Sequence, residues 1–170
     1  MVAIETLAER RGVDTDALGI SIVPIGGAQA IGRYLDVFVP QGLNLAGLCD
    51  AAEEGEFARG LERAGLGSNL TRSFMERLGF YVCVEDLEEE LIRALGEHGV
   101  ERVIKAEGDL GSFQTFQKQP EWRGRAVADQ LRRFMGSGGS RKIRYARLLV
   151  EALDLDGVPR PLDRVLTHVI

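Results

Sequence analysis

Asp50 closes the apolar run LNLAGLC (43–49), and Glu53, Glu54 and Glu56 follow close behind it. A second acidic group, EDLEEEL (85–91), begins where another apolar run, GFYVCV (79–84), ends. Carboxylates at the ends of apolar runs have two ordinary uses. They cap the helix that follows, favoured there by its dipole, or they hold a hard divalent cation through oxygen. Cys49 and Cys83 lie inside apolar runs and read as buried thiols. The two histidines, His98 and His168, are too widely separated for zinc-ligand spacing. A metal bound by this chain is therefore held by oxygen ligands, which selects magnesium, manganese or calcium.

Whether the two acidic groups meet depends on the elements that carry them. VAIETLAERR (2–11) has the spacing of an amphipathic helix, and GISIVPI (19–25) is a β-branched run that predicts a strand. AQAIGRYLDVFV (28–39) returns to helical spacing; LNLAGLC (43–49) is a second strand and EEGEFARGLERAG (53–65) a helix. GFYVCV (79–84) is a third strand, and DLEEELIRALGEHG (86–99) a helix that Asp86 is placed to cap. This alternation predicts an α/β fold with a short, mostly parallel sheet flanked by helices. Beyond residue 100 only helical patterns follow: VERVIKAEG, VADQLRRFM, RYARLLVEALDL and PLDRVLTHVI. The expected organisation is one domain over 1–170, with an α/β core (1–100) and a helical C-terminal region (101–170). Parallel strands bring their C-terminal ends to one edge, where open α/β sheets bind ligands. Asp50 and EDLEEEL are expected on that edge.

The composition, 45% hydrophobic and 28% charged, is that of a globular domain, and the chain of 170 residues suits one core. No apolar run reaches the roughly 20 residues a bilayer span needs. The first residues mix charge into a helical pattern, unlike a secretory signal, so a cytoplasmic location is expected. The net charge of −5 is unevenly spread. Asp50 to Glu101 holds 13 acidic and 5 basic residues, whereas Glu121 to Arg147 holds 8 basic and 2 acidic. An acidic half and a basic half suit a metal centre beside a surface for a nucleic-acid phosphate backbone, with Arg132, Arg133, Arg141, Arg144 and Arg147 as the phosphate contacts. Trp122, the sole tryptophan, sits among charged residues and reads as a packing anchor rather than a base-stacking platform.

Other motifs fail on spacing. Gly26, Gly27 and Gly32 do not fall on the dinucleotide-binding pattern, and GSGGSRK (136–142) lacks the ending of an ATPase phosphate loop and follows a helix. No serine has a nearby histidine to activate it.

Taken in order, VPIGGAQAIGRYL, the strand ending at Asp50, the strand followed by EDLEEEL, and the basic SRKIRYARLLVEAL resemble the Toprim domain of the OLD family of ATP-dependent endonucleases. The resemblance runs from about Val2 to Leu166 and implies a Rossmann-like sheet with magnesium- or manganese-binding carboxylates that cleaves or nicks DNA. It implies metal ligands at Asp50 and Glu88, with Asp86 as cap or second ligand, and Glu88 also acting in catalysis. The family's Asp-x-Asp is matched only at its first position, since Ala52 fills the second; Glu53 or Glu54 is the substitute ligand. Lys142 corresponds to the lysine beside the scissile phosphate. The strand ending in Glu-Gly that opens Toprim domains is not matched, because Val2 is already in a helical pattern. Its lack is expected to leave backbone groups of the sheet unpaired, an edge through which a homodimer would form. The ATPase module is not matched either, so a separate ATPase is the implied partner. The alternatives are a non-catalytic remnant that binds nucleic acid or protein, and a Toprim nucleotidyl transferase.

Overall fold

A computed structural model describes residues 1–170. The helices are α1 (Val2–Arg10), α2 (Ile31–Phe38), α3 (Glu54–Arg63), α4 (Arg72–Arg77), α5 (Leu87–Leu95), α6 (Glu97–Ala106), α7 (Leu110–Gln117), α8 (Val127–Met135), α9 (Gly139–Ala152) and α10 (Arg160–Thr167). Two strands, β1 (Gly47–Cys49) and β2 (Phe80–Val82), pair in parallel with Gly47 opposite Phe80 and Cys49 opposite Val82. The chain forms two compact units that interleave in sequence rather than dividing near residue 100. One comprises Gly12–Leu87 with Arg160–Ile170 and Met1; the other comprises Val2–Arg11 with Glu88–Pro159.

In the first unit the sheet has helices on it, as the alternating pattern predicts. Ile31 and Leu35 of α2, Phe57 and Leu61 of α3, and Met75 of α4 lie four apart on their helices or face the same way, and all are buried with Cys49, Phe80 and Val82. Burying each such large side chain contributes about 1.5–3 kcal/mol relative to exposure. Tyr81 points from β2 to the opposite side, its ring in edge contact with His168, while Leu162, Val165 and Leu166 of α10 are buried. Gly47 has to be glycine: a Cβ there would lie 2.6 Å from Cδ1 of Phe80, the residue opposite it in the ladder.

The sheet is smaller than the sequence predicts. Residues 19–25 form no strand; they run irregularly, with Ser21, Val23 and Pro24 exposed. Pro24 has no N–H to donate, and β-branched side chains make a strand only where a neighbouring edge completes the ladder. The expected helix over 86–99 also breaks. Gly96 takes φ +69° and separates α5 from α6.

In the second unit α1 packs along α9, and α6 touches α7, α8 and α9. Leu7, Leu91, Val100, Ile104, Leu131, Tyr145 and Leu149 form its buried interior. The Arg10 guanidinium donates to the carbonyls of Val150 and Leu153, both at 2.8 Å, satisfying acceptors that the end of α9 leaves open. No helix is long and apolar enough to cross a membrane.

Candidate metal centre and basic surface

Because β1 and β2 are parallel, their following turns leave the sheet at the same edge. The ladder continues past the strands: Cys83 N–H donates to Cys49 O at 3.0 Å, and Ala51 N–H donates to Glu85 O at 2.8 Å. Asp50 precedes Ala51 and Asp86 follows Glu85, so the first unit carries both aspartates on one rim. The local sequence explains the first turn. Asp50-Ala51-Ala52-Glu53 is a capping-box sequence, and Asp50 has the extended backbone of a cap before a short 3-10 turn over Ala51–Glu53. Asp50 N–H donates to Glu53 Oε2 at 3.3 Å, closing the box.

The other glutamates of this segment are engaged. Glu54 forms an ion pair with Arg72 at the start of α4, and Glu56 pairs with Arg59. Glu53 and Glu56 also line an open cleft of about 790 Å³ with Ala52, Arg33 and the Gly26–Gly27 turn, where both glycines have positive φ. The rim is electronegative. Burial, followed by the charges of Glu53, Asp50 and Glu54, pushes the Cys49 thiol up to about 12.

No three His, Cys, Asp or Glu side chains group closely enough to cage a metal. The rim's aspartates are Asp50, whose side chain and main chain are both engaged with Glu53 in the capping box, and Asp86. A pair of carboxylates is the kind of donor set that magnesium takes, because magnesium keeps several waters and needs only one or two carboxylates. It does not fit calcium, which takes 6–8 oxygen ligands.

In the second unit, Glu88 lies in the first turn of α5 and Lys142 in the first turn of α9. Lys142 Nζ is 3.1 Å from Glu88 Oε1; the glutamate side chain is 12% exposed and the lysine 53%. The structure thus joins the two residues to which the resemblance gives catalytic roles. The arginines differ among themselves. Arg144 pairs with Asp109, and Arg147 Nε lies 2.7 Å from Glu151 Oε1. Arg141 stacks over the Phe134 ring at 4.6 Å and donates to Ser137 Oγ at 2.9 Å. Arg132 is half-buried on α8, whereas its neighbour Arg133 is exposed and makes no ion pair or hydrogen bond. Sequence reasoning missed Arg72 and Arg33. The capping-box spacing of Asp50 and Glu53 was the signal available for Glu53's position.

No protein-family model matches the chain, and no curated protein matches its sequence. Solved structures do resemble it. The C-terminal region of the OLD protein of Xanthomonas campestris pv. campestris is similar with a TM-score of 0.67 and 23% identity, over 98% of this chain and 86% of that one. The C-terminal region of the Burkholderia pseudomallei OLD protein gives a TM-score of 0.65 and 22% identity, over 98% and 89%. The chain has the fold of the C-terminal region of OLD proteins.

Proposed function

We propose that this chain is a magnesium- or manganese-dependent nuclease domain that cleaves or nicks DNA. The observation that supports it most is the Ala51–Glu85 backbone bond, which joins the turns that carry Asp50 and Asp86 at one edge of the sheet. The shared fold with the C-terminal region of OLD proteins supports it further. In hydrolysis a water oxygen bonds to phosphorus, one phosphoester bond breaks, and the departing oxygen takes a proton. Asp50 and Asp86 would hold a divalent ion, which when bound would supply positive charge at a phosphate and make a coordinated water more acidic. Glu53 fixes the turn that presents Asp50. Glu54 joins the donors only when Arg72 releases it. In the second unit, Glu88 orients the Lys142 ammonium, which offsets charge developing on a phosphate. Arg133 and Arg141 hold the DNA backbone, with Arg132, Arg144 and Arg147 adding to the basic field. A separate ATPase subunit is the expected partner.

Incubation with supercoiled plasmid in manganese tests this reading. Nicked circles are expected, with at least a tenfold loss for Asp50→Asn and for Lys142→Ala; plasmid left intact by the wild type overturns it. A second reading, a non-catalytic nucleic-acid-binding domain, is favoured by the ion pairs that occupy Glu54 and Glu88. It predicts retention of DNA without nicking.

A further inference from the structure

We propose that an aromatic and arginine cleft in the second unit takes an unpaired base of single-stranded nucleic acid. The cleft has a volume of about 570 Å³, and its lining includes Phe116, Gln119, Glu121, Trp122, Arg133 and Arg141. That size lies in the range of small-ligand sites, roughly 300–1,000 Å³. Its aromatic wall is built in place. Phe116 stands 5.1 Å from Trp122 and 5.8 Å from Phe134, centroid to centroid. Trp122 lies in the turn between α7 and α8, where a helix register cannot hold it. A buried amide does so instead. Gln130, 5% exposed, donates to Trp122 O at 2.7 Å and accepts from Gln117 Nε2 at 2.8 Å.

The indole held in this way stays half-buried at the cleft rather than packed in the interior, so the packing-anchor role expected from sequence is only part of its environment. Arg125 lies 5.0 Å from the indole centroid, and Arg141 lies over Phe134. Planar cations beside aromatic rings are the surroundings in which unstacked bases bind. Arg133, without an ion-pair partner, is a cation open to phosphate. Two arginines against Glu121 leave the lining net positive, and Glu121 and Gln119 offer acceptors to a base amino group. A purely apolar ligand has no use for these charges. A duplex keeps its bases stacked away from such a cleft, so the matching substrate is single-stranded.

This inference deepens the nucleic-acid reading above by naming the substrate segment, and binding alone tests it. Trp122, the sole tryptophan, is the probe. A ten-nucleotide deoxycytidine strand, an abasic strand of equal length and deoxycytidine monophosphate are titrated in chelator, so that no cleavage occurs. The strand is expected to quench Trp122 fluorescence saturably. The abasic strand and the mononucleotide are expected to bind at least about tenfold more weakly, the scale of one stacked base. Arg133→Ala and Phe116→Leu are expected to weaken the strand, and Arg123→Ala, outside the lining, to leave it unchanged. Circular dichroism verifies that each variant is folded. Absent quenching, an abasic strand that binds equally, or a mononucleotide that binds equally overturns the proposal. Quenching without plasmid nicking leaves this site standing and removes the nuclease reading; nicking without quenching does the reverse.

Discussion

Ala51 donates its main-chain N–H to the carbonyl of Glu85 at 2.8 Å, and this bond joins the two turns that leave the parallel sheet. It extends the ladder beyond Cys49 and Val82 by the same alternation that pairs the strands. Two acidic turns are thereby kept on one edge of the sheet. Burial first, and then the charges of Glu53, Asp50 and Glu54, hold the Cys49 thiol far above its ordinary range.

The Lys142–Glu88 pair separates a structural from a chemical role. The lysine is half-exposed, so the pair is expected to contribute no more than about 1 kcal/mol to stability. Urea denaturation of Lys142→Ala, Glu88→Gln and the double variant measures the coupling between them. Under the proposed function, plasmid nicking falls at least tenfold in Lys142→Ala while stability shifts by less than that limit. A large loss of stability with unchanged nicking would make the pair purely structural.

Gly47→Ala tests the packing that sets the strand register. The added methyl enters the space of the Phe80 ring, which is backed by the core around Phe57. Overpacking of this kind costs about 1–3 kcal/mol. The urea midpoint is expected to fall without a change in slope. An unchanged midpoint would mean that Phe80 turns aside freely and that Gly47 is not required by its partner.

Acid should loosen the first unit through Glu76. Arg160 donates to both its carboxylate oxygens at 2.7 Å, and these hydrogen bonds hold Glu76 below the usual carboxylate range. The folded pKa is depressed, so the stabilisation is present above the unfolded value of about 4.3 and is lost as pH falls through the folded value. The Arg160→Ala variant is expected to be less stable at neutral pH, by at most about 1 kcal/mol for so exposed a pair, with the difference from wild type shrinking below pH of about 4. A difference that grows on acidification contradicts the assignment.

The rim was legible in the sequence because its signals are local: two apolar runs, each ending in carboxylates, with helices between. Asp50 and Asp86 reach one edge for the reason that periodicity implies. What the sequence could not reveal was set by neighbours. Ile20 to Ile25 has strand propensity, yet no backbone partner makes it a strand. A glycine inside an acidic, leucine-rich stretch reads as a tolerated helix residue until Gly96 adopts a positive φ. The pairing of Glu54 with Arg72 joins residues eighteen apart, and that of Glu88 with Lys142 joins a glutamate to a distant helix. Spacing within one element cannot predict either. The short helices α4 and α7 were missed because Thr71, which caps α4, and the apolar pattern of LGSFQTFQ span too few turns to stand out.

Manganese binding followed by electron paramagnetic resonance tests whether Asp50 and Asp86 hold a divalent ion, since free and bound ion are counted without any requirement for activity. Saturable binding to the wild type is expected, with at least a tenfold loss of affinity in both Asp50→Asn and Asp86→Asn. A wild type that binds no manganese, or variants that bind it as tightly as the wild type, would contradict it.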